Sequence, residues 1–532
     1  MSVTMSPSTE QQAIIAAFLA GADLAVQAGA GTGKSTTLAF IAAAAQMYRP
    51  TTTAWYITFN KRNAEEVGAT FADFGLTNAR ASTAHALAYR GCRTNPALTH
   101  MVDHLNRDSM PIRAEMKHLG IAKASRCLRA TVEFNPNTNA YTRIEIPNYS
   151  LPFGAQRRFL TLTRDTVKLF CQSASPTMTE DHVPYLGELE PALRPLVRAA
   201  LLESAQALWA ELTSPHGQLK TSHDHYLKAW ALTSPQIGSD GDVVLYDEAQ
   251  DANGVMAGLV LAQRGRVQLV LCGDPFQELY SFTGSIDAMQ GFSAQQGVVT
   301  LPLRESRRFG PEIAAHANGI LELLDPGHEV PMRLLGVGPA DGHLRDVFDE
   351  HEAFGCDAVV CATNRQVVDA IVSHTRAGRR VYSTLDLQDL VSLARDVALV
   401  ESGRADECAE PVLRRFTDLV SWREWLRSVP GVEEESLHAT VTLVRTHGAE
   451  ALEQLARTVV ASRDMADVTV STIHKAKGGT WERVHVLMGE VDIEDTAKLR
   501  MLYVAMTRAR TLVLREVSFV SSEDAGQTKP AA

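Results

Sequence analysis

The sequence has no cysteine pair spaced as CxxC. Its seven cysteines are odd in number, and the nearest two are Cys356 and Cys361. That pattern argues against a zinc ribbon, an iron–sulfur site or a disulfide frame and points to buried reduced thiols, with no structural metal. No apolar run reaches the roughly 18 residues of a membrane span. The start, MSVTMSPSTEQQ, lacks the basic residues and apolar core of a signal peptide, so a soluble, cytoplasmic protein is expected. A basic excess is missing too: the formal net charge is −11. Phosphate neutralisation needs clustered Lys and Arg, so any nucleic-acid contact has to come from a local groove. Repeats, low-complexity tracts and charge blocks are absent, and only the tail 521–532, SSEDAGQTKPAA, reads as disordered.

What is present is a succession of short β-branched runs, each followed by a loop and a helix-like stretch. One block holds DLAVQA (23–28), TAWYIT (53–58), VVLYD (243–247) and VQLVLC (267–272); a second holds AVVCAT (358–363), VTVSTI (468–473) and VHVLM (484–488). Two doubly wound α/β domains with parallel sheets are the economical solution. About 185 residues separate the second and third runs, too many for a crossover connection, so an inserted helical domain is expected there. A smaller helical insertion is expected in the second block. The resulting division is 1–95 with 215–300, insertion 96–214, then 301–384 with 466–520, insertion 385–465.

The run DLAVQA leads into AGAGTGKST, residues 28–36, a phosphate-loop pattern with Ala28 where glycine is commoner. Gly29, Gly31 and Gly33, with Ala30 and Thr32 between them, let backbone N–H groups turn toward phosphate oxygens. Lys34 reaches the terminal phosphates, and Ser35 can ligate Mg²⁺ at the start of the next helix, followed by Thr36. VVLYDEAQD supplies the acidic partner: Asp247 for Mg²⁺ and Glu248 to polarise the attacking water. Phosphoryl transfer also needs positive charge on the γ-phosphate. Arg308 in LRESRRFGPEIA and Arg508 in LYVAMTRAR are the candidates, each beside an apolar helical pattern.

Taken in order, the motifs resemble those of superfamily 1 DNA helicases of the UvrD, PcrA and Rep type, and most nearly the F-box DNA helicase subfamily. They are STEQQAII, AGAGTGKST, ITFNKRNAEEV, STAHALAYR, YDEAQD, GDPFQELYSFTG, SRRFGPEIA, TIHKAKGGTWERV and LYVAMTRA. The resemblance implies two RecA-like P-loop NTPase domains, with ATP and Mg²⁺ as the nucleotide and metal. Gln11 would read adenine, Arg307 would stack on it, Gly478 would lie beside the nucleotide, and Gln277 would sense the γ-phosphate. Thr58, Phe59, Asn60, Lys61, Thr83 and His85 would face DNA from the first domain, and Thr472, His474 and Trp481 from the second. Tyr280 and Phe282 would stack on bases, a contact worth about 1–3 kcal/mol per base. HDHYLKAWAL (223–232) also matches a stretch of that subfamily; its Tyr226, Lys228 and Trp230 suit either a strand-tracking groove or helix packing.

Four positions depart from the family pattern. Thr283 stands where arginine is usual, which removes one phosphate or base contact on the DNA side; Arg307 replaces an aromatic, although a guanidinium plane can stack too; Thr480 replaces a glutamate and Thr36 an arginine, which together weaken the expectation of tight or base-selective nucleotide binding. The expected activity is ATP-driven movement on single-stranded DNA, 3′ to 5′ by the resemblance, with strand separation at junctions. The expected setting is the cytoplasm, beside the nucleoid in a bacterium or in the host cytoplasm for a virus. A monomer is expected, working with DNA repair or replication proteins. Alternatives are a translocase that strips proteins from DNA, a helicase–nuclease subunit disfavoured by the short stretch after LYVAMTRA, and a clamp or loader switched by ATP. RNA stays open as a substrate, because stacking and phosphate contacts do not read the 2′-OH.

Overall fold

The computed structural model describes residues 6–136, 140–186, 189–278, 288–325, 332–347, 350–409, 413, 420 and 441–520. The chain divides into two compact units. The first takes Met1–Gln27, Lys34–Pro275 and Tyr280–Leu301, and the second takes Ala28–Gly33, Phe276–Leu279 and Pro302–Ala532.

In the first unit the strands are β1 (Asp23–Ala28), β2 (Ala54–Thr58), β3 (Ala79–Thr83), β4 (Thr131–Asn135), β5 (Ala140–Glu145), β6 (Val243–Asp247), β7 (Gln268–Gly273) and β8 (Val298–Leu303). Six of them form one sheet in the order β3-β2-β6-β7-β1-β8. The pairings of β2 with β3 and β6, and of β7 with β6 and β1, are parallel. Parallel strands covered on both faces read as continuous apolar runs, and β6 is buried at every position. Parallel pairing also brings the C-terminal ends of β1, β6 and β7 to one edge, where open α/β sheets bind ligands.

Between β3 and β6 the chain is mainly helical, with Phe153–Gln172 and Arg194–Leu212 as the longest described helices, and the stretch belongs to the first compact unit. Phe159, Leu160, Val197 and Leu201 make one apolar cluster, and Val167, Phe170, Ala205 and Leu208 the next. Sequence reading did not anticipate the antiparallel hairpin β4–β5 inside it. TVEFN does alternate polar and apolar side chains, but it is 5 residues long with no fully buried position, too short a pattern to stand out from the helical stretches around it.

The helix His223–Ala231 favours helix packing of the two readings open for its stretch. Tyr226, Lys228 and Trp230 are 2%, 1% and 8% exposed. The Lys228 ammonium donates to the carbonyls of Ser173 and Ser175 at 2.8 and 2.7 Å and lies 4.2 Å from the Phe170 ring centroid. Burial lowers its pKa to about 8. The alternation of aromatic and basic groups serves a helix buried on most of its sides.

In the second unit β9 (Glu305–Ser306) and β10 (Leu335–Gly336) form a short parallel pair. β11 (His343–Asp346), β12 (Ala358–Cys361), β13 (Val381–Ser383), β14 (Val468–Thr472), β15 (Trp481–Asp492) and β16 (Ala509–Val520) form the second sheet. Its order is β11-β16-β15-β12-β14-β13, with every pairing parallel. Side chains of β12 alternate between two cores, as the period of two requires. Ala358 and Val360 join Val484, Val486 and Tyr503; Val359 and Cys361 join Val367, Ile371 and Val470. The second core also takes Leu390, Val397, Leu452 and Leu455, so the described helices of 385–465 share it with the sheet. Two parallel sheets flanked by helices give the α/β fold class the strand blocks imply.

All seven cysteines are buried free thiols. Among the described residues no helix is long and apolar enough to cross a membrane.

His374 is 3% exposed, packed edge-on to Phe354 at 5.1 Å, with Arg379 Nη1 3.3 Å from its Nδ1. Burial first, then Arg379 and His485, lower its pKa to about 4. The unfolded chain therefore binds this proton more tightly, and stability should fall as pH drops from about 6.5 toward 4. Urea unfolding at pH 7 and pH 5 should show about 2 kcal/mol less stability at pH 5 from this group, a slope that His374→Gln should flatten. An equal pH slope in parent and variant would refute the assignment.

Candidate nucleotide site

β1 leads into the phosphate loop, which ends on the helix Lys34–Tyr48. Gly31 and Gly33 have φ of +73° and +80°, the left-handed backbone that turns successive N–H groups toward one point. In the first unit the side chains that follow converge on Asp247, which is 1% exposed. Ser35 Oγ donates to Asp247 Oδ2 at 2.9 Å, and Tyr56 donates its hydroxyl to the same oxygen at 2.5 Å. The Glu248 amide donates to Asp247 Oδ1 at 2.9 Å.

Glu248 adopts φ +55°, a left-handed conformation that costs a non-glycine residue about 1–3 kcal/mol and clusters at functional sites. Its carboxylate accepts from Gln250 Nε2 at 2.6 Å and lies 3.6 Å from Lys34 Nζ. Gln250 Oε1 in turn accepts from the Asp274 amide at 3.0 Å. One glutamine thus ties the end of β6 to the end of β7.

Charge in this cluster is unbalanced. Burial alone would lower the Lys34 pKa, but Glu248, Asp274 and Asp247 outweigh it and hold the ammonium above its usual value. Burial and then the Glu248 charge push Asp247 up to about 6. Three carboxylates around one ammonium leave an excess of negative charge that favours a divalent cation. The donor set fits Mg²⁺, a hard ion that takes oxygen ligands. Neighbouring ligands of an octahedral Mg²⁺ at about 2.1 Å lie about 3 Å apart, and Ser35 Oγ and Asp247 Oδ2 are 2.9 Å apart.

The second unit gathers the other expected nucleotide residues. Arg508 is 2% exposed; it donates from Nε to the Val504 carbonyl at 2.8 Å and from Nη2 to Gln277 Oε1 at 3.3 Å. Arg308 Nη1 donates to the carbonyl of Thr507, the residue before Arg508, at 2.7 Å. The Arg307 amide donates to the Gly31 carbonyl at 3.0 Å, and the Tyr503 hydroxyl lies 3.3 Å from the Ala30 amide. Ala28 and Ala30 are fully buried, and Thr32 Oγ1 closes the loop onto the Gly29 carbonyl at 2.9 Å. Gly478 has φ +83° and is exposed. Gln11 is buried in the first unit, its amide shared between Thr37 Oγ1 at 2.9 Å and the Ser8 amide at 2.9 Å. It steadies the phosphate-loop helix next to the partly exposed Thr36.

Among the residues expected to face DNA, Phe59 is 51% exposed and Asn60 caps the helix Lys61–Asp73, whose Lys61 reaches solvent. Thr83 and Thr472 do the same work in the two units: each ends a strand and caps the next helix, accepting from Ala86 N at 3.1 Å and from Lys475 N at 3.4 Å. Two residues on from each cap stand His85 and His474, both partly exposed. His85 Nε2 lies 3.3 Å from Asp224 Oδ1. Two expectations are corrected. Thr58 is 0% exposed because its side chain points into the sheet's covering layer, and Trp481 is 9% exposed because its ring fills the core beside Gly479 under the Arg463 guanidinium. Tyr280, Phe282 and Thr283 lie outside the described residues.

A family model for an AAA domain matches residues 11–283, more than half of the chain, and a model for a UvrD-like helicase C-terminal domain matches residues 467–514. The chain belongs to the UvrD-like branch of the superfamily 1 helicases. Its relatives include F-box DNA helicase 1 of Gallus gallus, 25% identical over 398 residues that make up 66% of this chain and 37% of the relative. F-box DNA helicase protein 1 of Schizosaccharomyces pombe is 25% identical over 542 residues, covering 95% and 57%. RecBCD enzyme subunit RecD of Mycolicibacterium smegmatis is 26% identical over 295 residues, covering 51% and 49%. The chain thus spans less than two thirds of the length of each of these relatives.

Three residues in these contacts escaped the sequence reading. Tyr56 reads as one more apolar strand residue, Gln250 lies inside YDEAQD without an assigned role, and Asp224 pairs with His85 across 139 positions of sequence. The usable signal is the tyrosine hydroxyl, since a buried one needs a partner.

A Cβ at Gly31 would lie 2.6 Å from Arg308 Cβ and 2.7 Å from Ser306 Oγ, at a φ that side chains rarely adopt. Gly31→Ala is expected to weaken binding of a fluorescent ATP analogue at least ~10-fold, the effect of a deformed backbone cradle. Unchanged affinity in a titration would remove the loop from the site.

Proposed function

We propose that the chain is an ATP-dependent DNA translocase and helicase that moves 3′ to 5′ on single-stranded DNA and separates strands at junctions. The observation that carries the reading is the convergence of Ser35 and the Glu248 amide on buried Asp247, with Lys34 paired to the Glu248 carboxylate, in a chain of this family. The relatives named as DNA helicases support DNA as the track.

ATP is the substrate. Lys34 neutralises its terminal phosphates, and Ser35 and Asp247 would hold Mg²⁺, which supplies charge neutralisation on the phosphoryl oxygens. Glu248 accepts the proton of the attacking water, and its bond from Gln250 fixes the carboxylate for that task. Arg308 and Arg508 supply positive charge where the γ-phosphate leaves, a contribution worth about 10³–10⁵ in rate. Arg508 is already desolvated and oriented by the Val504 carbonyl, so little reorganisation accompanies its use. Gln277 accepts a hydrogen bond from Arg508, which supports a role in registering whether a γ-phosphate has taken the guanidinium.

On the DNA side, Phe59 offers an exposed ring, and the caps at Thr83 and Thr472 bring hydroxyls, amides and histidines to strand ends. Such groups hold phosphates without reading sequence. Partners of the helicase are single strands and junctions.

Glu248→Gln should abolish ATP turnover stimulated by single-stranded DNA, at least ~100-fold in kcat, while leaving DNA affinity intact. Equal ATPase in variant and parent would refute Glu248 as the base. Fork unwinding on substrates with opposite tails should proceed only with a 3′ tail. Streptavidin displacement without unwinding would instead establish a protein-stripping translocase.

A further inference from the structure

Tyr56 lies in the middle of β2 and is fully buried, with its ring edge-on to Phe71 at 6.1 Å. Register places it opposite Leu245 of β6, and Asp247 follows two residues later on the same face. Two strand residues advance about 6.6 Å, a span the long phenol side chain bridges. Its hydroxyl therefore reaches the carboxylate from behind, inside the sheet's covering layer, at 2.5 Å. A phenylalanine would fill the same space without this bond.

Asp247 has three donors, and they differ in what else they do. The Glu248 amide holds Oδ1 and is fixed by the strand end. Ser35 and Tyr56 both hold Oδ2, but Ser35 is itself an assigned Mg²⁺ ligand. Tyr56 is the side-chain donor without that second duty, so it can keep the carboxylate aimed while the serine oxygen serves the ion. Groups that orient a metal's carboxylate ligand through hydrogen bonds typically change metal affinity 10–100-fold when lost, on the order seen for outer-shell partners generally.

We propose that Tyr56 is a positioning residue for the divalent cation of the nucleotide site, acting through Asp247. This inference rests on the nucleotide reading above and adds a residue of β2 to it.

The test uses the full chain, Mn²⁺ as the probe and a non-hydrolysable ATP analogue. Mn²⁺ binding is followed by electron paramagnetic resonance, and analogue binding by fluorescence with and without metal. Tyr56→Phe is expected to weaken Mn²⁺ about 10–100-fold in the presence of the analogue and to leave metal-free analogue binding unchanged. On an Asp247→Asn background the same substitution should change Mn²⁺ affinity no further. Tyr56→Met, which also lacks the hydroxyl, should repeat the loss if the phenylalanine variant folds poorly. Unchanged Mn²⁺ affinity in a folded variant, with only the melting temperature lowered, would make Tyr56 a core residue and overturn the inference alone. A parent that shows no metal-dependent analogue binding would bring down the nucleotide reading and this inference together.

Discussion

A carboxylate inside a sheet is costly unless it is met by donors, and Asp247 is the point at which this chain accepts that cost. The parallel order β2-β6-β7 puts the acid between two strands, one supplying Tyr56 and the other ending at Gly273, just before Asp274. Gly273 leaves room there for Gln250, since a Cβ would lie 2.4 Å from its Oε1. Glu248, ahead of Asp274 and Asp247, holds the Lys34 ammonium above its usual pKa, and the Glu248 amide that bonds Asp247 belongs to a left-handed residue. Loosening the aspartate would therefore release the Ser35 and Tyr56 hydroxyls and the Glu248 amide at once.

The strand blocks, the phosphate loop and the acidic pair were legible because each is a local pattern: an apolar run, glycines at fixed spacing, two adjacent acids. Asp247 and Glu248 could be paired with Lys34 and Ser35 from sequence alone, since phosphoryl transfer requires all four kinds of group. Other features depend on register, which no local pattern carries. Tyr56 touches Asp247 only because β2 lies beside β6, strands 191 positions apart at those residues. Trp481 and Thr58 show the opposite failure: motif position suggested a surface, and packing placed both inside. The hairpin β4–β5 was missed for a third reason: TVEFN alternates polar and apolar residues, but a run of 5 residues carries little weight against the helical patterning on either side of it.

The same kind of corner occurs in each sheet. In each, a serine and a threonine close a strand, the serine hydroxyl bonds the threonine carbonyl, the threonine caps the next helix, and a histidine follows: Ser82, Thr83 and His85 in one unit, Ser471, Thr472 and His474 in the other. Their local chemistry is the same although the helices differ in length, Ala84–Thr94 against Ile473–Ala476.

Two like corners have a consequence for any motor built on them. Hands of equal chemistry hold a strand equally well, so neither corner by itself prefers one heading along it. A net heading then has to come from the order in which the hands open and close, and that order belongs to the nucleotide cycle. In such a machine the direction of travel is a property of timing, and exchanging one corner's residues for the other's would alter grip strength before it altered heading.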